Sequence, residues 1–286
     1  NVATRTNKGL KLGISYTKDY INHLKRKYDN FYILKCDIHK YFYSISHEKL
    51  IEKLRTILPD EEVIAGIKSI LTSTYQNNTN SQIKRLVDRE KEILRNANNP
   101  YMKQRFEELS TIPYYQEGRG LPIGNMTSQL FAIYYLNDLD HFIKEQLHIK
   151  YYIRYMDDFI LMHPDREYLK YCLEEIRKKV AAEELKLNQK TKIISIKDGL
   201  NFLGFIFVLK NKKLLVLINS QTKRRITHKL NKLEKNPKEN YTSVLASYKG
   251  YLSNCCSGSF IRKHPWFKGM DMKVKKKKDE VIVIYD

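Results

Sequence analysis

Cysteine is scarce in this chain: Cys36, Cys172, Cys255 and Cys256 are the four among 286 residues, and no two form a Cys-x-x-Cys pair. A disulfide framework or a zinc module is therefore not expected. Long apolar runs are missing as well. The longest, 202–209 and 214–218, fall far short of the roughly 18 residues of a membrane span. Residues 1–5 hold no apolar signal segment, and with so few thiols a reducing, cytoplasmic setting is the expectation. Acidic residues are outnumbered, with Asp+Glu 32 against Lys+Arg 52, a net charge of +20. The lysine-rich end, residues 273–286, has five basic and three acidic groups and explains only +2 of this. The remaining +18 lies in the body, so a polyanion, nucleic acid or anionic membrane, is expected to meet the fold itself.

What is present is a mixture of strand and helix patterns, enough for about two domain-sized units. Residues 31–38 read as a buried strand with Asp37 near its end. Helices are expected from His47 to before Pro59, over 64–71 and over 83–94, with a loop at 72–81 and a stop at Pro100. Gly118, Gly120, Pro122 and Gly124 mark a loop, followed by one long helix over 127–147. Strands at 151–155 and 159–162 flank Met156-Asp157-Asp158 as a hairpin. A helix over 168–184 and strands at 192–196, 201–208 and 214–218 come next. The last 65 or so residues read as helical, with Ile226, Leu230 and Leu233 as an apolar stripe and Lys223, Arg225, Lys229 and Lys232 on the remaining surface. A boundary is expected near Asn219.

The chemistry is concentrated in three carboxylates. If the strand that ends at Asp37 neighbours the 151–162 hairpin, Asp37, Asp157 and Asp158 converge at one sheet edge. Such a cluster repels itself, and a divalent cation relieves it. Hard oxygen ligands favour Mg²⁺ or Mn²⁺. Taken alone, Asp-Asp is more often an ordinary polar turn.

It has company. Tyr155-Met156-Asp157-Asp158 resembles the Tyr-x-Asp-Asp signature of reverse transcriptases, the RNA-directed DNA polymerases. Leu34-Lys35-Cys36-Asp37-Ile38-His39-Lys40-Tyr41-Phe42 resembles that family's first catalytic motif. Gly120-Leu121-Pro122-Ile123-Gly124-Asn125-Met126-Thr127-Ser128-Gln129 stands in the place of the second. Asn201-Phe202-Leu203-Gly204-Phe205 is similar to the primer-grip turn. The resemblance runs over residues 31–208, with its motifs in order.

That resemblance implies an α+β right-hand polymerase fold. Its parts would be an N-terminal fingers or palm remnant (1–30), palm (31–48), a fingers insertion (49–122), palm again with catalytic hairpin and primer grip (123–219), and a thumb with basic tail (220–286). It implies two Mg²⁺ ions, or Mn²⁺, held by Asp37 and Asp157 with Asp158 as third carboxylate. Phe42 would gate the sugar, and Ile123, Gly124 and Gln129 would border the nucleotide. Lys190 would assist pyrophosphate departure, with Lys192 as competitor. Phe202, Leu203 and Gly204 would hold the primer end, and Lys223, Arg225, Lys229 and Lys232 would grip nucleic acid. The partners implied are template RNA, a DNA or RNA primer, dNTPs and a small accessory protein, with no membrane, in a bacterial or phage-encoded enzyme. The 36 residues before Asp37 are fewer than the family's usual fingers region, so either the chain is a fragment or 49–117 supplies part of it.

The second motif departs from Gln-Gly and Ser-Pro to Ile123-Gly124 and Ser128-Gln129. This form is similar to reverse transcriptases of diversity-generating retroelements, which copy with errors at adenines, and to phage-defence relatives. A group-II-intron-like enzyme, an RNA-directed RNA polymerase and a catalytically weak RNA-binding protein on a polymerase palm stand as alternatives.

Overall fold

The computed structural model describes residues 1–3, 8–76, 78–95, 100–235, 241–264, 273–277 and 280–284. Its first half runs α1 (Leu10–Lys27), β1 (Tyr32–Asp37), α2 (Tyr41–Ser44), α3 (His47–Arg55), α4 (Glu61–Gln76), α5 (Thr79–Leu94), α6 (Pro100–Ser110), α7 (Met126–Tyr135) and α8 (Asn137–His141). The second half has β2 (Tyr151–Tyr155), β3 (Asp158–His163), α9 (Arg166–Ala182), β4 (Lys192–Ser195), β5 (Leu200–Phe202), β6 (Phe205–Lys210) and β7 (Lys213–Ile218). Then follow α10 (Ser220–Lys235), α11 (Tyr241–Leu252), α12 (Gly258–Lys263), β8 (Lys273–Lys277) and β9 (Glu280–Ile284). Helices and antiparallel sheets together make this an α+β chain. Among the described residues no helix is long and apolar enough to cross a membrane.

The central sheet has the order β2-β3-β1-β4, all neighbours antiparallel. Side chains alternate across a strand, so a strand apolar at nearly every position must be covered on both faces. That is the case for β1. Leu34 and Cys36, with Phe159 and Leu161 of β3, pack against helices α3, α4, α7 and α9. Ile33, with Ile160 and Met162, faces α1, the sheet β5-β6-β7 and helices α10 and α11. The two cores are thus the two sides of one sheet, and Asp37 and Asp158 stand where the strands leave it.

Four expectations are corrected. Residues 72–81 are not a loop: α4 continues to Gln76 and α5 starts at Thr79. The hydroxyls of Thr72 and Ser73 donate to the carbonyls of Lys68 (3.0 Å) and Ile70 (2.7 Å), so these polar residues are satisfied inside the helix. The helix expected over 127–147 is broken into α7, α8 and a π-helical turn (Phe142–Gln146), with Leu136 at φ −92°, ψ 12°. The Ile133 carbonyl, which a continuing helix would use, accepts instead from Arg154 Nη2 at 3.1 Å. The strand expected over 201–208 is a hairpin, because Leu203 (φ 54°) and Gly204 (φ 82°) form a two-residue turn between β5 and β6. The C-terminal region is not helical throughout, since β8 and β9 pair near the end; of the expected basic tail, Lys278 lies outside the described residues.

Helix α5 ends at Leu94, ahead of Pro100, which instead opens α6, where its missing N–H costs nothing. Asn219 sits between β7 and α10, and its Oδ1 accepts from the Thr222 amide at 2.7 Å as an N-cap.

Candidate active site

Pairing in the sheet sets Asp37 directly opposite Asp158 at the end of β1 and β3. Asp158 also faces Tyr155 across the β2–β3 hairpin, which leaves Met156 and Asp157 as its two-residue turn. Asp158 is therefore a strand residue and not part of the turn, a small shift from the sequence reading. Met156 adopts φ 58°, a left-handed conformation that costs a side-chain-bearing residue about 1 kcal/mol. Arg154 Nη1 holds the Met156 carbonyl at 3.0 Å, and the Met156 amide donates to Asn1 Oδ1 at 3.3 Å.

The three carboxyls behave as a group. Burial raises the pKa of each of them first of all. The charge of Asp37 raises Asp157 further, and Asp37 and Asp157 together help push Asp158 up to about 6, against the opposing pull of Lys35. Asp158 Oδ1 is buried and takes no hydrogen bond from the described residues. An orphaned anionic oxygen beside repelling carboxylates suits a divalent cation. Among the described residues no three His, Cys, Asp or Glu side chains form a ready-made metal cage. Mg²⁺ does not ask for one, since it is held by one or two carboxylates together with substrate phosphates. The donor set fits the ion.

A pH effect follows. Folded Asp158 keeps its proton to about pH 6, whereas an unfolded aspartate loses it near pH 4. Between those values the folded state binds more protons, so the contribution of Asp158 to stability falls as pH rises through the window. Asp158→Asn is expected to be more stable than the parent at pH 7.5, by about 1–3 kcal/mol, and to lose this advantage by pH 4. Urea unfolding at both pH values without divalent cations measures it; an equal difference at both would refute the assignment.

Around the carboxylates, Asn188 Nδ2 donates to Asp37 Oδ2 at 2.9 Å, and the Asn188 amide donates to the Asp37 carbonyl at 2.7 Å. The same Asn188 accepts from the Lys190 amide through Oδ1 at 3.1 Å. Lys190 is exposed, and its charge lowers the Asp37 pKa, which sets it near the site. Lys192, its competitor, stands in β4 in register with Lys35 of β1.

Phe42 is half-buried in α2, its ring 6.0 Å from that of Tyr41. The glycine loop is fastened against this segment. Gly120 and Leu121 amides donate to the carbonyls of Ile45 (2.8 Å) and Phe42 (2.7 Å), and the His47 amide donates to the Gly118 carbonyl (2.9 Å). Gly120 has φ 91°, and a Cβ there would meet the Tyr115 ring at 2.7 Å, so only glycine passes. Beyond the clamp the loop opens: Ile123 is 62% exposed, nothing lies within 4 Å of a Cβ built on Gly124, and Gln129 is exposed on α7.

The β5–β6 turn is less open than a bare loop. Phe202 is fully buried in the second core, so only the backbone of this residue remains for contacts at the turn. Leu203 lies against Gly13 of α1, and the Tyr251 hydroxyl of α11 covers Gly204. On α10, Ile226, Leu230 and Leu233 are buried while Lys223, Arg225, Lys229 and Lys232 are exposed, as the periodicity requires.

Three polar residues at the site escape sequence reasoning. Lys35 lies two residues before Asp37, hence on the same face of β1, and strand alternation is the signal that would have flagged it. Its Nζ is 3.4 Å from Asp158 Oδ2 and donates to the Asn201 carbonyl at 2.9 Å. Asn188 and Arg154 carry no such signal, because their partners are set by tertiary contacts.

A family model described as reverse transcriptase (RNA-dependent DNA polymerase) matches residues 3–207. No curated protein matches the chain. Among solved structures, apo telomerase from Candida tropicalis, truncated from its C-terminal domain, is similar at 14% identity and a TM-score of 0.46, over 73% of this chain and 40% of that one. Telomerase from Candida albicans, in complex with the TWJ fragment of telomeric RNA, is similar at 16% identity and a TM-score of 0.43, over 89% of this chain and 45% of that one. The chain spans less than half the length of these telomerase chains.

Proposed function

Because the chain belongs to the reverse transcriptase family, we propose that it extends a primer 3′-hydroxyl with dNTPs along an RNA template, using Asp37, Asp157 and Asp158. The observation that carries this is the pairing of Asp37 with Asp158 beside the Asp157 turn, which gathers three carboxyls at one sheet edge, where Asp37 raises the pKa of Asp157 and both raise that of Asp158. Asp37 and Asp157 are the principal ligands of two Mg²⁺ ions in this reading, with Asp158 completing the set. When bound, the ions supply the positive charge that favours an ionised 3′-hydroxyl and a departing pyrophosphate.

The chain's own groups do the positioning. Asn188 fixes the Asp37 carboxylate, and Lys190 offers its ammonium to the pyrophosphate side. Phe42 stands as a gate against a 2′-hydroxyl, and Ile123, Gly124 and Gln129 line the open edge toward the nucleotide. The turn Phe202–Leu203–Gly204 steadies the primer end mainly through its backbone. Residues 31–48 and 123–219 then act as palm, 49–122 as fingers, and 220–286 as thumb, with Lys223, Arg225, Lys229 and Lys232 holding duplex phosphates. Contacts of that kind ignore sequence and weaken as salt rises.

The finer reading is an error-prone enzyme of the diversity-generating type. Ile123 offers no hydrogen bond to a base or sugar where a Gln could, so the nucleotide is held by shape alone. Ile123→Gln should lower misincorporation at template adenines by about tenfold, roughly the discrimination worth of one hydrogen bond; unchanged product sequences would overturn this.

Primer extension tests the main reading, with RNA template and Mg²⁺, dNTPs compared with NTPs, and template omitted in a control. DNA made only with template and dNTPs is the expected result. RNA product would refute the sugar gate, and synthesis without template would refute the copying role. No product, with salt-sensitive RNA binding retained, would mean either a binding protein or a polymerase that needs a longer fingers region, and adding the natural upstream sequence would separate the two.

A further inference from the structure

The central sheet and the sheet β5-β6-β7 share no strand pairing among the described residues. Across the gap between them the chain itself runs through the short link 196–199 after β4, and the remaining ties are side-chain contacts. Lys35 spans that gap. Its Nζ donates to the Asn201 carbonyl in the middle of β5 (2.9 Å), lies 3.4 Å from Asp158 Oδ2, and stands 6.0 Å from the centre of the Phe202 ring. Three donors on a flexible four-carbon stem allow these contacts at once. The same residue is the cation that most offsets the charge of Asp158.

We propose that Lys35 is a positioning residue with two linked duties: it ties the primer-holding turn to the catalytic sheet, and it serves as a built-in counter-cation that competes with Mg²⁺ for Asp158. The proposal rests on the polymerase reading for the turn's role, but the competition with Mg²⁺ does not depend on synthesis. Its stability contribution is small, because both side chains of the pair retain more than a quarter of their exposure (27% and 29%) and water screens them. The two duties predict effects of opposite sign. Loss of the ammonium frees Asp158 for a divalent cation while it loosens the hold on the primer end. A residue that merely supported the fold would weaken both.

Lys35→Met and Lys35→Arg in the full chain separate these outcomes. The first readout is thermal unfolding against Mg²⁺ concentration, without substrate. Lys35→Met should reach its half-maximal upshift at roughly three- to tenfold lower Mg²⁺, the effect of removing one partly screened neighbouring charge, and Lys35→Arg should match the parent. The second is steady-state primer extension. Lys35→Met should raise KM for primer–template several-fold with KM for dNTP unchanged, and Lys35→Arg should restore it. An unchanged Mg²⁺ midpoint, equal behaviour of the two variants, or a parallel rise in both KM values would each overturn the proposal. A parent that makes no DNA would refute the polymerase reading while the Mg²⁺ upshift still judges Lys35; no upshift in the parent would refute the counter-cation.

Discussion

Asp157→Asn is expected to abolish RNA-templated DNA synthesis, by at least about 10³-fold, since on the proposed mechanism it removes a charge that would hold a metal worth several kcal/mol to the transition state. The fold should survive the change. Asp157 occupies the β2–β3 turn, where burial and the charge of Asp37 both raise its pKa, so its ionised form is held at a cost. An isosteric amide relieves that cost, and the variant should unfold at equal or slightly higher urea concentration than the parent. Loss of activity together with retained stability is the signature of a group kept for chemistry. Residual synthesis within tenfold of the parent would remove Asp157 from the reaction.

Asp140→Ala has the opposite profile, with its effect falling on the fold. Arg154 is 1% exposed, and its guanidinium forks onto Asp140 through Nε at 2.7 Å and Nη2 at 2.5 Å. Asp140 also accepts from the Tyr152 hydroxyl at 2.6 Å, and the arginine keeps its carboxyl below the ordinary range. Removing the carboxylate leaves a buried cation without its partner, a loss of about 3–5 kcal/mol. For a chain of this size that lowers Tm by roughly 10 °C. Arg154 holds the Met156 carbonyl, so the β2–β3 turn that carries Asp157 should loosen as well. Asp140→Leu combined with Arg154→Met should recover much of the stability, because an apolar pair of similar volume replaces the ion pair without an orphaned charge. A single-variant loss under 1 kcal/mol would show that the pair matters little.

The legible parts of this chain were those whose cause is local. Ile33, Leu34, Cys36 and the apolar run of β3 announce strands covered on both faces, and Asp37 announces where one of them ends. The stripe of Ile226, Leu230 and Leu233 announces the buried side of α10. Local pattern failed where a distant residue intervenes. The end of α7 is fixed by Arg154, some twenty positions onward, which takes the Ile133 carbonyl. Thr72 and Ser73 look like loop residues because the return of their hydroxyls to helix carbonyls leaves no periodic trace. At the site, the aspartates were legible as types in a motif. Lys35 and Asn188 were not, since a lysine on a strand or an asparagine in a loop acquires its meaning only from the carboxylate it meets.

The contact of Tyr251 with the β5–β6 turn carries a mechanical consequence. The ring stacks on Phe205 with centroids 4.7 Å apart, and the hydroxyl donates to the Gly204 carbonyl at 3.4 Å. A Cβ on Gly204 would collide with that hydroxyl. Helix α11 and the turn are thus geared together, with no slack between the teeth. Any sideways travel of α11 is transmitted to the tip of the hairpin instead of being absorbed in a linker, and a methyl group added at Gly204 would act as a wedge that pries the helix from its seat.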